Sequence, residues 1–207
     1  MSEVDLNSPN KSASHLAQTR TIDVLVVGGG IAGKACALGL AQIGLQTVEI
    51  APDLGAAVAN PNGNQWGQRI YAFSPSTQKL LAHLQIWDAL DQSRLQPVKD
   101  MRIYGDRGER NDQLHLSAFE AGTPQLAWIG ESNLIEHTLD QASRFQNKLE
   151  RISESVKDIE IDKEGITAYL NNGSAIRAKL LVAADGANSP IRAKLGIATT
   201  EDRKSVV

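Results

Sequence analysis

The sequence predicts an α/β protein with a doubly wound, mostly parallel sheet. Three observations carry that expectation. A short β-branched apolar run, residues 22–27, stops at glycine; an Ala- and Leu-rich stretch follows from Gly30; a second apolar run closes at Ile50. Strand, helix and strand within roughly 30 residues make a βαβ unit, whose crossover is right-handed and whose strands are parallel. Further on, residues 180–184 form an unbroken apolar run, the pattern of a strand covered on both faces.

Taken in order, residues 21–27 read as a buried strand and residues 30–43 as a helix that Gly44 closes as a C-terminal cap. Residues 46–50 read as the second strand, and residues 52–67, punctuated by Pro, Gly, Asn and Asp, as a loop. Ser74-Pro75 is an N-cap followed by proline at the first helical position. The helix it opens carries Leu80, Leu81, Leu84 and Trp87 on one face. Residues 101–104 and 113–116 read as strands around a charged, Gly-containing turn, an inserted antiparallel segment over about residues 100–120. Ser132 or Asn133 caps a helix whose apolar positions are Leu134, Ile135, Thr138, Leu139 and Ala142. Residues 158–161 and 166–170 read as a hairpin, and the run at 180–184 ends at Asp185-Gly186.

Composition narrows the function. With 207 residues, 42% hydrophobic and 22% charged, the chain is long enough to bury a sizeable core. Lys and Arg total 21 against 24 Asp and Glu, a net charge of −3, which argues against a nucleic-acid partner because neutralising phosphates needs clustered cations. One cysteine, Cys36, excludes an internal disulfide and fits a reducing, cytoplasmic compartment. Four scattered His and a single Cys offer no metal site. The apolar stretch 31–45 is interrupted by Gly33, Lys34, Gly39, Gln42 and Gly44, so it does not read as a membrane span. The polar residues 1–20 read as a disordered leader, leaving 21–207 as the domain. The tail stops as Ser205, Val206 and Val207 begin a strand-like run, which reads as a chain cut inside a larger fold.

The sharpest motif is Gly28-Gly29-Gly30-Ile31-Ala32-Gly33, a Gly-x-Gly-x-x-Gly pattern between a predicted strand and a predicted helix. Gly28 permits the tight turn, Gly30 lets the backbone approach a pyrophosphate, and Gly33 lets the helix pack closely on the strand, with small Ala37 one turn later. The helix start then receives the phosphates on its free N–H groups. Glu49 lies 21 residues after Gly28, at the expected end of the second strand, where an acid accepts hydrogen bonds from a ribose. A carboxylate there repels a 2′-phosphate, so the site is expected to hold FAD or NAD and not NADP. The fold is thus expected to be Rossmann-like.

Three further segments carry a resemblance. Gln68-Arg69-Ile70-Tyr71-Ala72-Phe73-Ser74-Pro75-Ser76-Thr77 resembles the Arg-x-x-Ala-x-Ser-x-x-Ser segment of FAD-dependent aromatic-ring hydroxylases, with Thr77 where that pattern ends in Ser. Trp128-Ile129-Gly130-Glu131-Ser132 resembles the family's next segment, which usually reads Glu-Asn at its end. Residues 180–192, built on Asp185-Gly186 with Ser189 and Arg192 in register, resemble its Asp-Gly motif. Together these look like the ubiquinone-biosynthesis hydroxylases, relatives of para-hydroxybenzoate hydroxylase, over about residues 23–197.

The resemblance implies that Gly28, Gly30, Gly33 and Glu49 hold the ADP half of FAD, that Arg69 lies near the cofactor, and that Asp185 and Gly186 contact FAD and NAD(P)H. It implies a monooxygenase that uses NAD(P)H and O₂ to hydroxylate a small aromatic substrate, a prenylated phenol, with the flavin carrying the chemistry. No protein nucleophile or other catalytic side chain is assigned, and no Gly-x-Ser-x-Gly elbow is present. Greasy substrates of that kind imply peripheral contact with a membrane or a biosynthetic complex, although no basic amphipathic helix marks one. Nothing after Asp185 matches the Gly-Asp segment that fixes the flavin ring in full members, so the FAD-binding domain is expected to be incomplete and inactive alone. Two alternatives stand beside this reading: another FAD oxidoreductase of the same fold, such as a reductase or halogenase, and a non-catalytic nucleotide-binding fragment.

Overall fold

A computed structural model describes residues 20–52, 67, 69–105 and 113–200. The expectations for the leader, for the body of the loop at 53–66, for Gln68, for the turn at 106–112 and for the tail at 201–207 lie outside the described residues.

The chain opens with β1 (Arg20–Val27), α1 (Ile31–Gln42) and β2 (Thr47–Ala51), the expected βαβ unit. β3 (Ile70–Phe73) leads into α2 (Pro75–His83), and β4 (Gln96–Val98) and the hairpin β5 (Asp100–Tyr104) and β6 (Gln113–Ser117) follow. β7 (Ala127–Glu131) runs into α3 (Ser132–Ser143), β8 (Leu149–Ser153), β9 (Val156–Asp162), β10 (Gly165–Leu170), β11 (Ala175–Ala183) and α4 (Pro190–Lys194).

The main sheet has six strands in the order β8-β2-β1-β11-β10-β9. β8, β2, β1 and β11 pair in parallel, and β10 joins β11 and β9 antiparallel. From β1 the chain steps outward through β2 to β8, then returns to lay β11 on the other side of β1. The strand order therefore reverses between β1 and β11, and open α/β sheets take ligands in the crevice at such a point. A three-stranded sheet, β3-β7-β4, and the two-stranded β5–β6 hairpin stand apart from it. The antiparallel part is thus larger than the expected segment at 100–120.

Strand alternation sends Val24 and Val26 to one face, against Ala37 of α1, and Leu25, Val27, Val48 and Ile50 to the other, against Ile191 of α4. Helices cover both faces, as doubly wound sheets require. α1 and α3 pack beside each other, and Leu38, Ile135 and Leu139 join Phe73, Leu81 and Ile86 in a second core. Among the described residues no helix is long and apolar enough to cross a membrane.

Several local expectations hold. Ser74 Oγ accepts from Thr77 N–H at 3.2 Å with Pro75 at the first helical position. Gly44, at φ +93°, closes α1 through its N–H to Ala41 O at 3.0 Å. Others are corrected. Leu80 is 53% exposed, and only Leu81, Leu84 and Trp87 of the expected face are buried. Trp87 and Trp128, distant in sequence, meet edge to face with ring centroids 5.2 Å apart. Neither Ser132 nor Asn133 caps α3; Glu131 is the N-cap residue and makes no side-chain cap bond. The apolar run at 180–184 is not covered throughout. β10 pairs with β11 only as far as Ala178, while β1 follows it to Ala183, so Leu180 lies beyond the hairpin and is 53% exposed.

Candidate dinucleotide site

The glycine turn sits between β1 and α1 at the reversal of strand order. Gly28 adopts φ +130°, and a Cβ there would lie 2.1 Å from Ala184 O. Its N–H donates to Ile50 O at 2.8 Å, and Ala184 N–H donates to Val27 O at 2.7 Å, so the turn is pinned from both neighbouring strands. A Cβ on Gly33 would lie 1.9 Å from Gly28 O, which is the close helix–strand approach expected of this position. Gly30 is the N-cap of α1; a Cβ there would meet nothing within 4 Å, and neither a capping side chain nor an acid occupies the first turn. The first N–H groups of α1 have no carbonyl partner within the helix, and the helix dipole makes their surroundings favourable to anions.

Glu49 corrects its expected surroundings. β2 continues to Ala51, so Glu49 is mid-strand and not at the end, and it is only 1% exposed. It lies on the α1/α3 side of the sheet, and a Cβ on Gly29 would lie 4.0 Å from its Oε1. Neither Oε1 nor Oε2 accepts a hydrogen bond among the described residues. Arg151 of β8 brings Nε to 2.9 Å from Oε2, an ion pair out of line for hydrogen bonding. Burial pushes the Glu49 carboxyl above the usual range, with Arg151 and Lys34 pulling partly in the other direction. Arg151 Nη1 also donates to Asp140 Oδ1 at 2.7 Å, and Lys34 Nζ, buried in α1, donates to Asp140 at 2.8 Å.

These partners escaped sequence reasoning. Lys34 left a trace as the one charge in the Ala-rich helix, whereas Asp140 and Arg151 left none. A second buried pair was also missed. Arg94 donates from Nε and Nη2 to the two oxygens of Glu131 at 2.7 Å each, and Gly67 N–H donates to the same carboxylate. Glu131 is therefore a buried ion-pair partner joining β7 to the segment before β4, not merely a charge at a helix start.

The Asp185 backbone nitrogen lies against the glycine turn, 2.8 Å from where a Cβ on Gly28 would stand, and Gly186 follows it in the chain. The Asp185 carboxylate turns the other way, accepting from Ser189 Oγ at 2.5 Å and from Ile191 N–H at 3.0 Å. Ser189 in turn caps α4 through Arg192 N–H at 2.9 Å. Arg192 Nη2 donates to Ala187 O at 2.7 Å. Gly186 is exposed at φ +94° with open space around it. Arg69 is exposed at the start of β3, its carbonyl accepting from Ser132 N–H at 3.0 Å. Among the described residues no hydrogen bond or ion pair links Arg69 to the glycine turn.

A family model described as an FAD binding domain matches residues 21–207. The chain belongs to this FAD-binding family. The 3-demethoxyubiquinol 3-hydroxylase of Escherichia coli is 31% identical over 84% of this chain and 44% of its own. The ubiquinone hydroxylase UbiL of Rhodospirillum rubrum is 30% identical over 86% of this chain and 40% of its own. Among solved structures, p-nitrophenol 4-monooxygenase PnpA of Pseudomonas putida DLL-E4 superposes with a TM-score of 0.69 at 24% identity, over 86% of this chain and 44% of that one, a likeness of fold. The chain spans less than half the length of the curated relatives it matches.

The residues present fit the ADP part of the family's cofactor. Gly30 opens onto space that a pyrophosphate would fill, and the buried carboxylate of Glu49 lacks the donors that ribose hydroxyls would supply.

Proposed function

We propose that this chain carries the ADP-binding part of an FAD-dependent monooxygenase of the ubiquinone-biosynthesis hydroxylase type. The observation that carries the reading is the Glu49 carboxylate, buried and without a hydrogen-bond donor beside an open glycine turn. Gly28 and Gly33 shape the turn, Gly30 and the first N–H groups of α1 receive the pyrophosphate, and Glu49 accepts from the ribose. Gly186, next after Asp185, has open space around it, and Asp185 fixes the bend into α4 through Ser189 and Ile191. Arg69 is assigned to the cofactor by its sequence segment alone.

FAD, when bound, supplies the redox chemistry by which NAD(P)H and O₂ hydroxylate an aromatic ring. The kinship with ubiquinone hydroxylases supports a prenylated phenol as substrate. The matched part of those relatives is less than half of their length, so we assign nucleotide binding to these 207 residues and hydroxylation to a longer assembly.

Titration of FAD and ADP into the chain tests the reading. Glu49→Lys replaces the ribose acceptor with a cation and is expected to weaken binding by about 1.5–3 kcal/mol. Unchanged affinity in a variant of native circular dichroism removes Glu49 from the site. Product analysis with NAD(P)H, O₂ and a prenylated phenol tests the division of labour: hydroxylated phenol formed in step with NAD(P)H consumption by the 207 residues alone overturns it.

A further inference from the structure

We infer that Arg151 is a positioning residue for nucleotide binding: held by Asp140, it supplies the countercharge to Glu49 without occupying the lone pairs that a ribose needs. The inference rests on the reading of Glu49 as the ribose acceptor. Four charges from four elements meet on one face of the sheet. They are Lys34 of α1, Glu49 of β2, Asp140 of α3 and Arg151 of β8. Two are cations and two are anions, so the cluster is balanced.

The balance is uneven in its hydrogen bonds. Asp140 accepts from both Lys34 and Arg151, at 2.8 and 2.7 Å. Glu49 accepts from neither, although Arg151 Nε approaches Oε2 to 2.9 Å. Arginine is a planar fork whose donors point in fixed directions, so an anchor at Nη1 restricts where Nε can aim. Asp140 thereby holds the guanidinium at contact distance from Glu49 but off line. A carboxylate that is neutralised yet unsatisfied is a poor structural element, because buried oxygens without donors cost free energy. It suits a receptor, because neither oxygen has a protein hydrogen bond that a ribose diol would have to displace. Lys34 does not serve this role directly, since its ammonium is committed to Asp140 and buried. Arg151, at 38% side-chain exposure, is the most exposed of the four.

The test compares ADP with 2′-deoxy-ADP on the 207-residue chain, as wild type, Glu49→Gln, Arg151→Met and Arg151→Lys, from acid to neutral pH. Wild type is expected to prefer ADP by about tenfold or more, the worth of a charge-assisted hydrogen bond. Glu49→Gln loses most of that preference at every pH. Arg151→Met loses the preference on the acid side and keeps it only toward neutral pH, and Arg151→Lys, which restores the charge, recovers part of it on the acid side. A ¹³C titration of the Glu49 carboxyl reads the same effect without ligand: its midpoint is expected to rise by about one pH unit or more in Arg151→Met. An Arg151→Met chain with the wild-type preference across the pH range, an unmoved Glu49 midpoint in folded Arg151→Met, or a midpoint in Arg151→Lys as high as that in Arg151→Met overturns the inference. Failure of wild type to discriminate, or a preference retained in Glu49→Gln, overturns instead the ribose reading beneath it.

Discussion

A Cβ on Gly33 would stand 1.9 Å from the carbonyl oxygen of Gly28, closer than any real contact allows. The first turn of α1 is therefore laid directly on the turn that leaves β1, and the position of the helix start depends on a hydrogen atom at residue 33. The obstacle is backbone, so the neighbour cannot yield by rotating a side chain.

Gly33→Ala is accordingly expected to displace the start of α1 and to destabilise the chain by about 1–3 kcal/mol, the usual cost of overpacking. Urea unfolding checks the stability and ADP titration checks the site. A Gly33→Ala chain of wild-type stability would mean that α1 does not sit on Gly28 as described.

Gly30→Val is expected to behave in the opposite way. A side chain at Gly30 meets nothing within 4 Å, and φ −80° with ψ 176° is backbone that valine adopts readily. Stability should stay within about 0.5 kcal/mol of wild type, as for other exposed positions. ADP affinity should fall sharply, because the branched side chain fills the space in front of the helix N–H groups. Normal ADP binding by Gly30→Val would show that the phosphates lie elsewhere.

The contrast between these two glycines was legible in the sequence, because the motif's spacing assigns each a separate duty. So was the βαβ unit, whose strands are β-branched and whose helix is closed by Gly44. β8 was not legible: Leu149–Ser153 reads LERIS, and its charges at Glu150 and Arg151 hide a strand that pairs with β2 along one edge only. The Trp87–Trp128 contact and the Arg94–Glu131 pair join residues far apart in sequence, and a single sequence carries no signal of such meetings. At Glu49 the spacing rule found the residue but not its setting. Alternation along β2 puts it on the helix-covered face, where it is buried, and the partners that make burial tolerable come from α1, α3 and β8.

Arg94→Met tests the second buried pair. Glu131 would keep its charge in a site 1% exposed and lose both guanidinium donors. Removing one member of a buried pair costs about 3–5 kcal/mol. Thermal unfolding should show the loss, and Arg94→Met with Glu131→Leu should recover part of it, because the double variant removes the buried Glu131 charge together with its guanidinium partner. A loss below about 1 kcal/mol in the single variant would place the pair at the surface instead.

Glu49→Gln is expected to separate stability from binding. Burial raises the Glu49 carboxyl above its unfolded value of 4.5. A carboxyl shifted in that direction contributes stability while protonated; the contribution is complete below the unfolded value and is lost as pH rises through the folded one. Once Glu49 ionises, the wild-type chain carries a charge that its burial disfavours, while Arg151 retains Asp140 as a partner when Glu49 is replaced. Glutamine keeps the shape and removes the charge. The variant should match wild type below pH 4.5 and become the more stable of the two as pH rises through the range in which the folded wild type ionises. ADP affinity should fall over the same range, because an amide is a weaker acceptor for ribose hydroxyls than a carboxylate. Urea unfolding at a series of pH values, with ADP titration alongside, checks both halves. A gap that closes as pH rises would contradict the burial of Glu49, and a gap that opens with no loss of affinity would leave its orphaned oxygens without a ligand.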